Sequence, residues 1–168
     1  ALDRVLWIPA GEPPHKRAGS VTPAHVRLAM VREAAAADER FEVATLELER
    51  PGPSYTVDSV RALRRSHPEG ELFLIVGADQ VATFDTWRDP GEIVREARLA
   101  VMDRGGESAA AAAGAHAAAA DAVVVPVRRI DVSSTEVRER VRDGLDFAEL
   151  VPPGVRTIIE RERLYSTA

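Results

Sequence analysis

Cysteine is absent from the 168-residue chain. Disulfides and thiolate metal sites are therefore excluded, and a reducing cytoplasm is the expected setting. No apolar run approaches the roughly 20 residues that a membrane helix needs, and the opening residues carry no signal-peptide pattern. No basic face dominates: the formal net charge is −5, which argues against a nucleic-acid or anionic-membrane partner but leaves anionic small substrates open. A Gly-rich Walker loop and a Ser-His-Asp order are both missing, so P-loop chemistry and covalent hydrolysis lack support. Of the four histidines, His25, His67 and His116 have no partner ligands at metal spacing. They read as surface residues, and no protein-built metal site is expected.

What remains is the material of a globular α/β protein. Charged residues make up 29% of the chain and apolar ones 45%, the latter inflated by alanine, and the length suits one domain spanning 1–168. Arg4 to Ala10, Phe41 to Leu48, Leu72 to Val76, Arg98 to Met102 and Val123 to Val127 read as strands, Leu72 to Val76 as the clearest buried one. Helices are expected after Thr22-Pro23, with Thr as N-cap and a Val26, Ala29, Met30 stripe, and after Ser54-Tyr55-Thr56, with Val57, Val60 and Leu63 inward. Further helices are expected at Asp89-Pro90-Gly91-Glu92, at Ser133, and at Pro152-Pro153 with Val155, Ile158 and Ile159 inward. The Ala-rich stretch from Ser108 to Ala120 reads as a solvated or marginal helix without chemistry. Alternating strands and helices imply a mostly parallel sheet that binds ligand at the carboxyl ends of its strands.

Several segments just past strands could carry chemistry. Ser133-Ser134-Thr135-Glu136-Val137-Arg138 combines a capping box with two hydroxyls and a guanidinium, at a helix start whose free N–H groups attract phosphate. Pro13-Pro14-His15-Lys16-Arg17 holds cations on a stiff backbone where they could meet phosphate. Gly77-Ala78-Asp79 offers close backbone approach and a carboxylate for a ribose or a metal. Trp87, in a polar loop beside a helix start, suits stacking on a flat heteroaromatic ring. The amides at Ser54-Tyr55-Thr56 could bind a carboxylate. Each also has an ordinary reading: a capped helix, a basic turn, a strand-ending turn, a Trp packed on the surface.

Their order is more specific than any one of them. Pro-Pro-His-Lys, Ser-Tyr-Thr-Val-Asp, Gly-Ala-Asp, Thr-Trp before a helix, Ser-Ser-Thr-x-Val-Arg and Val-Pro-x-x-Val…Leu-Tyr follow one another from Arg4 to Tyr165. This series resembles the nicotinate-mononucleotide adenylyltransferase family. The resemblance implies a Rossmann-like nucleotidyltransferase fold, a mostly parallel sheet with helices on both faces, and transfer of the adenylyl group of ATP to nicotinate mononucleotide with Mg²⁺. It implies that Trp87 stacks on the pyridine ring, that the backbone N–H groups of Thr56 and Arg88 hold the nicotinate carboxylate, and that His15 and Lys16 lie near the mononucleotide phosphate. Gly77, Asp79, Ser133, Ser134, Thr135 and Arg138 are implied for ATP. A homo-oligomer is left open.

The chain departs from the family pattern in one respect. The resemblance implies an opening strand and a Gly-Gly-x-Phe-Asp-Pro-x-His-x-Gly-His block, and neither occurs in the 168 residues. Catalytic residues are therefore unassigned. Because the rest of the site reads intact, the 168 residues are expected to be part of a longer enzyme that carries this block; a molecule starting at Ala1 is expected instead to fold poorly and turn over negligibly, because the neighbouring strands would lose an inner ladder partner. Two other functions stay open at this point: an adenylyltransferase for another phosphorylated acceptor such as phosphopantetheine, and a non-catalytic nucleotide-binding module.

Overall fold

The computed structural model describes residues 2–12, 22–102, 119–128 and 130–166. His15, Lys16 and His116 lie outside the described residues, as does the Ala-rich stretch except for Ala119 and Ala120. The chain divides into two compact units, Ala1–Ser54 with Asp131–Ala168, and Tyr55–Ile130. No helix among the described residues is long and apolar enough to cross a membrane.

The first unit opens with strand β1 (Val5–Trp7), helix α1 (Ala24–Ala35) and strand β2 (Phe41–Val43). The strands pair in parallel, Val5 opposite Phe41 and Trp7 opposite Val43. Parallel neighbours need a long crossover, and α1 supplies it. Both strands are shorter than their apolar runs suggest. The chain past Val43 turns instead, with Leu48 N–H donating to Thr45 O, so Phe41 to Leu48 is not one strand. Nor is β1 buried: Trp7 is 43% exposed, its ring edge-on to Phe41 at 5.6 Å. The turn into β2 is closed by Asp38, which accepts from the Arg40 N–H at 3.0 Å and from its guanidinium at 2.9 and 2.6 Å. The Arg40 side chain, then its backbone N–H, hold the Asp38 carboxyl at about 2, well below its ordinary value.

The end of the chain completes this unit with α5 (Ser134–Arg142) and α6 (Pro153–Arg161). Val137, Phe147, Val155 and Ile159 form its core, with Met30 and Ala34 of α1 packed against them. Pro152-Pro153 starts α6 as expected, and Val155, Ile158 and Ile159 are all buried. Thr22 does not cap α1. The helix begins at Ala24 after Pro23 with no side-chain cap, and the Thr22 hydroxyl pairs with the Tyr165 hydroxyl at 3.1 Å.

The second unit carries α2 (Thr56–Ser66), β3 (Phe73–Gly77), the single turn α3 (Ala78–Val81), a 3₁₀ turn (Phe84–Thr86), α4 (Pro90–Glu96), β4 (Arg98–Met102) and β5 (Val123–Val125). The strand order is β3-β4-β5, all parallel. The central strand has the driest environment: Leu99, Ala100 and Val101 are buried. Leu72 to Val76 therefore is not the most buried strand; β3 spans Phe73–Gly77 and leaves Ile75 40% exposed. Strand order explains this, since a strand with one partner keeps a free edge. Beneath the sheet, Val57 and Val60 of α2 meet Phe84, Ile93, Leu99 and Val101 in one core.

Candidate functional site

In the second unit, the start of α2 is the first feature of interest. Tyr55 occupies the N-cap in extended backbone without a side-chain cap. The Asp58 and Ser59 N–H groups both turn to Tyr55 O. The N–H groups of Thr56 and Val57 have no backbone acceptor among the described bonds, the usual state of a first helical turn and one suited to an anion.

Trp87 and Arg88 lie on the loop between the 3₁₀ turn and α4. Phe84, 1% exposed, anchors this loop, and the Trp87 ring packs on it with centroids 5.2 Å apart and planes tilted 45°. Trp87 is half-buried, so part of the indole stays accessible. The Trp87 backbone N–H donates to Phe84 O, whereas the Arg88 backbone N–H has no backbone acceptor among the described bonds. The Arg88 guanidinium sits 4.7 Å from the centre of the Tyr55 ring. This cation–π contact places Arg88 against the residue that precedes Thr56. Three of the expected residues, Thr56, Trp87 and Arg88, thus belong to one neighbourhood.

Asp89 precedes α4 with φ 49° and ψ 53°, in the left-handed region, and makes no side-chain cap. The capping box expected at Asp89 and Glu92 does not form. The Glu92 N–H bonds the Asp89 carbonyl, and the Glu92 carboxylate is taken by Arg61. Gly77 ends β3 with φ −76°, a conformation open to any residue, so what glycine contributes there is the missing side chain. Asp79 is exposed, and its carboxylate accepts from the Gln80 amide at 3.2 Å.

In the first unit, Ser133 caps α5 as expected: its hydroxyl accepts the Glu136 N–H at 3.0 Å. Only this half of the capping box forms. The Glu136 carboxylate accepts from Arg140 at 3.2 and 3.1 Å instead of reaching back to Ser133, because an i,i+4 guanidinium offers it two charged donors. Ser134, Thr135 and Arg138 are exposed on the first turns, with Arg138 donating to the Thr135 hydroxyl at 3.3 Å. Three donors, charged or hydroxylic, are therefore available to a ligand at this helix start.

Two further features of the first unit escaped sequence reasoning. The Arg27 guanidinium donates to Ala10 O at 2.5 Å, Gly11 O at 3.0 Å and Thr22 O at 3.0 Å, tying the residues on both sides of 13–21. Ser54 is 8% exposed, its hydroxyl unpartnered in the structure, and its N–H donates to Glu12 O at 3.0 Å. A lone helical arginine and a lone serine carry no local signal of such roles. His25 and His67 are exposed, as expected of them.

The described residues contain no cluster of three or more His, Cys, Asp or Glu side chains able to hold a metal ion. Across the chain, residues 1–140 match the model of a family described as cytidylyltransferase-like. A Thermus thermophilus protein named "Probable nicotinate-nucleotide adenylyltransferase" is 42% identical over 166 residues, covering 98% of this chain and 84% of its own length. One of the same name from Corynebacterium kroppenstedtii is 40% identical, covering 98% and 78%. The chain belongs to the nicotinate-nucleotide adenylyltransferase family. Among solved structures, the Plasmodium falciparum nicotinic acid mononucleotide adenylyltransferase complexed with NaAD superposes with TM-score 0.76 at 16% identity, covering 98% of this chain and 83% of that one. A second structure of that enzyme, complexed with APC, gives the same TM-score at 15% identity. The family fold is therefore the Rossmann-type nucleotidyltransferase fold, built here from parallel ladders and helices.

Proposed function

We propose that the chain transfers the adenylyl group of ATP to nicotinate mononucleotide, giving nicotinate adenine dinucleotide and pyrophosphate. A mononucleotide phosphate oxygen bonds to the α-phosphorus of ATP, the bond from that phosphorus to the β-phosphate bridge breaks, and pyrophosphate leaves with the electron pair. No covalent enzyme intermediate is required. Catalysis is then positioning and charge stabilisation, which suits helix starts and cations.

The observation that carries this reading is the pair of N–H groups without backbone acceptors, Thr56 and Arg88, beside the half-buried Trp87. Trp87 stacks on the pyridine ring, and the two N–H groups hold its carboxylate. An amide would present its own NH₂ to one of them, and leaving a buried donor unpaired costs about 1–3 kcal/mol, roughly tenfold or more in favour of the acid. His15 and Lys16 are assigned to the mononucleotide phosphate. Gly77 and Asp79 line the nucleotide pocket, and Ser133, Ser134, Thr135 and Arg138 take the ATP phosphates. Mg²⁺ keeps several waters and is held largely by substrate phosphates. Mg²⁺ would reach the site with ATP and offset phosphate charge there. A single 1–168 domain working in the cytoplasm belongs to the same proposal.

Calorimetric titration of Trp87→Ala tests it. Nicotinate mononucleotide is expected to bind roughly tenfold weaker, as for loss of one base-stacking aromatic, with ATP affinity unchanged. Equal loss of both ligands, or no loss of the mononucleotide, overturns the pocket.

A further inference from the structure

The two N–H groups assigned to the nicotinate carboxylate come from different elements. Thr56 begins α2, and Arg88 precedes α4, 32 positions later. Two donors share one carboxylate only if their elements are locked together, because hydrogen bonds weaken quickly once distance and angle drift.

The lock is visible in the side chains. Arg61, on the second turn of α2, donates to Asp58 on its own helix at 3.0 Å. Its Nε donates to Glu92 Oε1 at 2.5 Å, its Nη2 to Glu92 Oε2, and the same nitrogen lies 3.8 Å from Asp89 Oδ2. One guanidinium therefore gathers three carboxylates, one from α2 and two from the start of α4. The fork onto Glu92 is the bidentate geometry that makes an arginine–carboxylate pair directional. It is also the exception to the rule that partly exposed ion pairs contribute little. Burial and hydrogen bonding agree with this: Arg61 and Glu92 are both half-buried, and the bond from Arg61 holds the Glu92 carboxyl below its usual range.

Asp89 adds a second argument. It follows Arg88 directly and adopts φ 49°, in the left-handed region that side chains other than glycine enter only occasionally. Such backbone persists only where the surroundings over-determine it. Here Pro90 stands on one side, and Arg61 faces both the Asp89 and Glu92 carboxylates.

We propose that Arg61 is a positioning residue for the nicotinate carboxylate: by gathering Asp58, Asp89 and Glu92 it fixes where the Arg88 N–H stands relative to the Thr56 N–H. This rests on the pocket proposed above. Arg61 itself does not touch the ligand. Its loss leaves α2 and α4 joined, because Arg64 donates to the Glu96 carbonyl at 2.6 Å and pairs with its carboxylate at 3.2 Å. Val57, Val60 and Ile93 also remain in one core.

Arg61→Met, which keeps the aliphatic stem, and Glu92→Gln are compared by calorimetry with the parent chain and with Trp87→Ala, using nicotinate mononucleotide, nicotinamide mononucleotide and ATP as ligands. Circular dichroism confirms that each variant is folded. Arg61→Met is expected to weaken nicotinate mononucleotide roughly tenfold, the loss of one charge-assisted donor, with ATP unchanged. Nicotinamide mononucleotide, which takes one donor fewer, is expected to lose less, so acid-over-amide discrimination falls. Glu92→Gln should act in the same direction, the double variant should be no worse than Arg61→Met alone, and Arg61→Lys should recover part of the affinity. Equal weakening of all three ligands, or none, in Arg61→Met overturns the positioning role. If Trp87→Ala also leaves nicotinate mononucleotide binding unchanged, the pocket falls and the positioning role with it. If Trp87→Ala weakens it and Arg61→Met does not, the positioning role alone falls.

Discussion

Gly11 and Gly154 are both crowded, and their neighbours set opposite expectations. A Cβ on Gly11 would overlap the Glu47 carbonyl and stand 2.7 Å from the Ser54 hydroxyl. Backbone cannot swing away, so Gly11→Ala must push apart Ala10-Gly11 and the segment leading to Ser54. On Gly154 the overlap is with the end of the Glu33 side chain, which can rotate into solvent. Overpacking typically costs about 1–3 kcal/mol, and that loss is expected for Gly11→Ala but not for Gly154→Ala in urea unfolding. Comparable midpoints for the two variants would refute the distinction. At this scale the sequence was only partly legible. Ser133 caps its helix because a serine before Glu136 has one strong local option. Thr22, Asp89 and Glu92 had distant competitors, Tyr165 for the first and Arg61 for the other two, and such partners leave no trace in local spacing.

The ends of elements follow the same division. α5 and α6 terminate identically. After α5, Leu145 N–H bonds Arg140 O and Gly144 N–H bonds Val141 O, with Gly144 at φ 69°. After α6, Leu164 N–H bonds Ile159 O and Arg163 N–H bonds Glu160 O, with Arg163 at φ 49°. Both are Schellman ends, which favour glycine at the left-handed position. Only α5 has it. Arg163→Gly is therefore expected to stabilise the protein by roughly 0.5–1 kcal/mol, the left-handed cost of a side chain less the extra entropy of glycine in the unfolded chain. Gly144→Ala should destabilise by about 1 kcal/mol. Thermal unfolding of both variants checks the pair, and a lower midpoint for Arg163→Gly would contradict it. Strand limits were less readable than helix limits. Arg98 to Met102 was legible to the residue because β4 is the central, dry strand, where apolar run and ladder coincide. β1, β2 and β5 have fewer partners, and pairing stops before the apolar run does.

For the whole molecule, the parallel connection rule was the part of the fold most open to sequence reasoning, since strand and helix alternate along the chain and every described ladder is parallel. The division into two units was not legible, because it depends on which distant segments pack: α5 and α6 join α1 across a sequence interval that holds the whole second unit. The candidate residues were named from their order and type. The geometry that unites Thr56, Trp87 and Arg88 was not legible, since it runs through Phe84, Tyr55 and Arg61. This division yields a test by amide hydrogen exchange, which resolves local opening segment by segment. Nicotinate mononucleotide alone is expected to slow exchange at 55–58 and 87–89, in the second unit. ATP alone should slow it at 133–138, in the first unit. Donors that bind a ligand oxygen exchange only when that bond opens, so protection should concentrate at the Thr56, Arg88 and α5 first-turn N–H groups rather than spread through the cores. Protection by the mononucleotide confined to 133–138 would exchange the two ligand assignments. Uniform protection by either ligand would show global stabilisation by mass action and remove the support for these residue assignments.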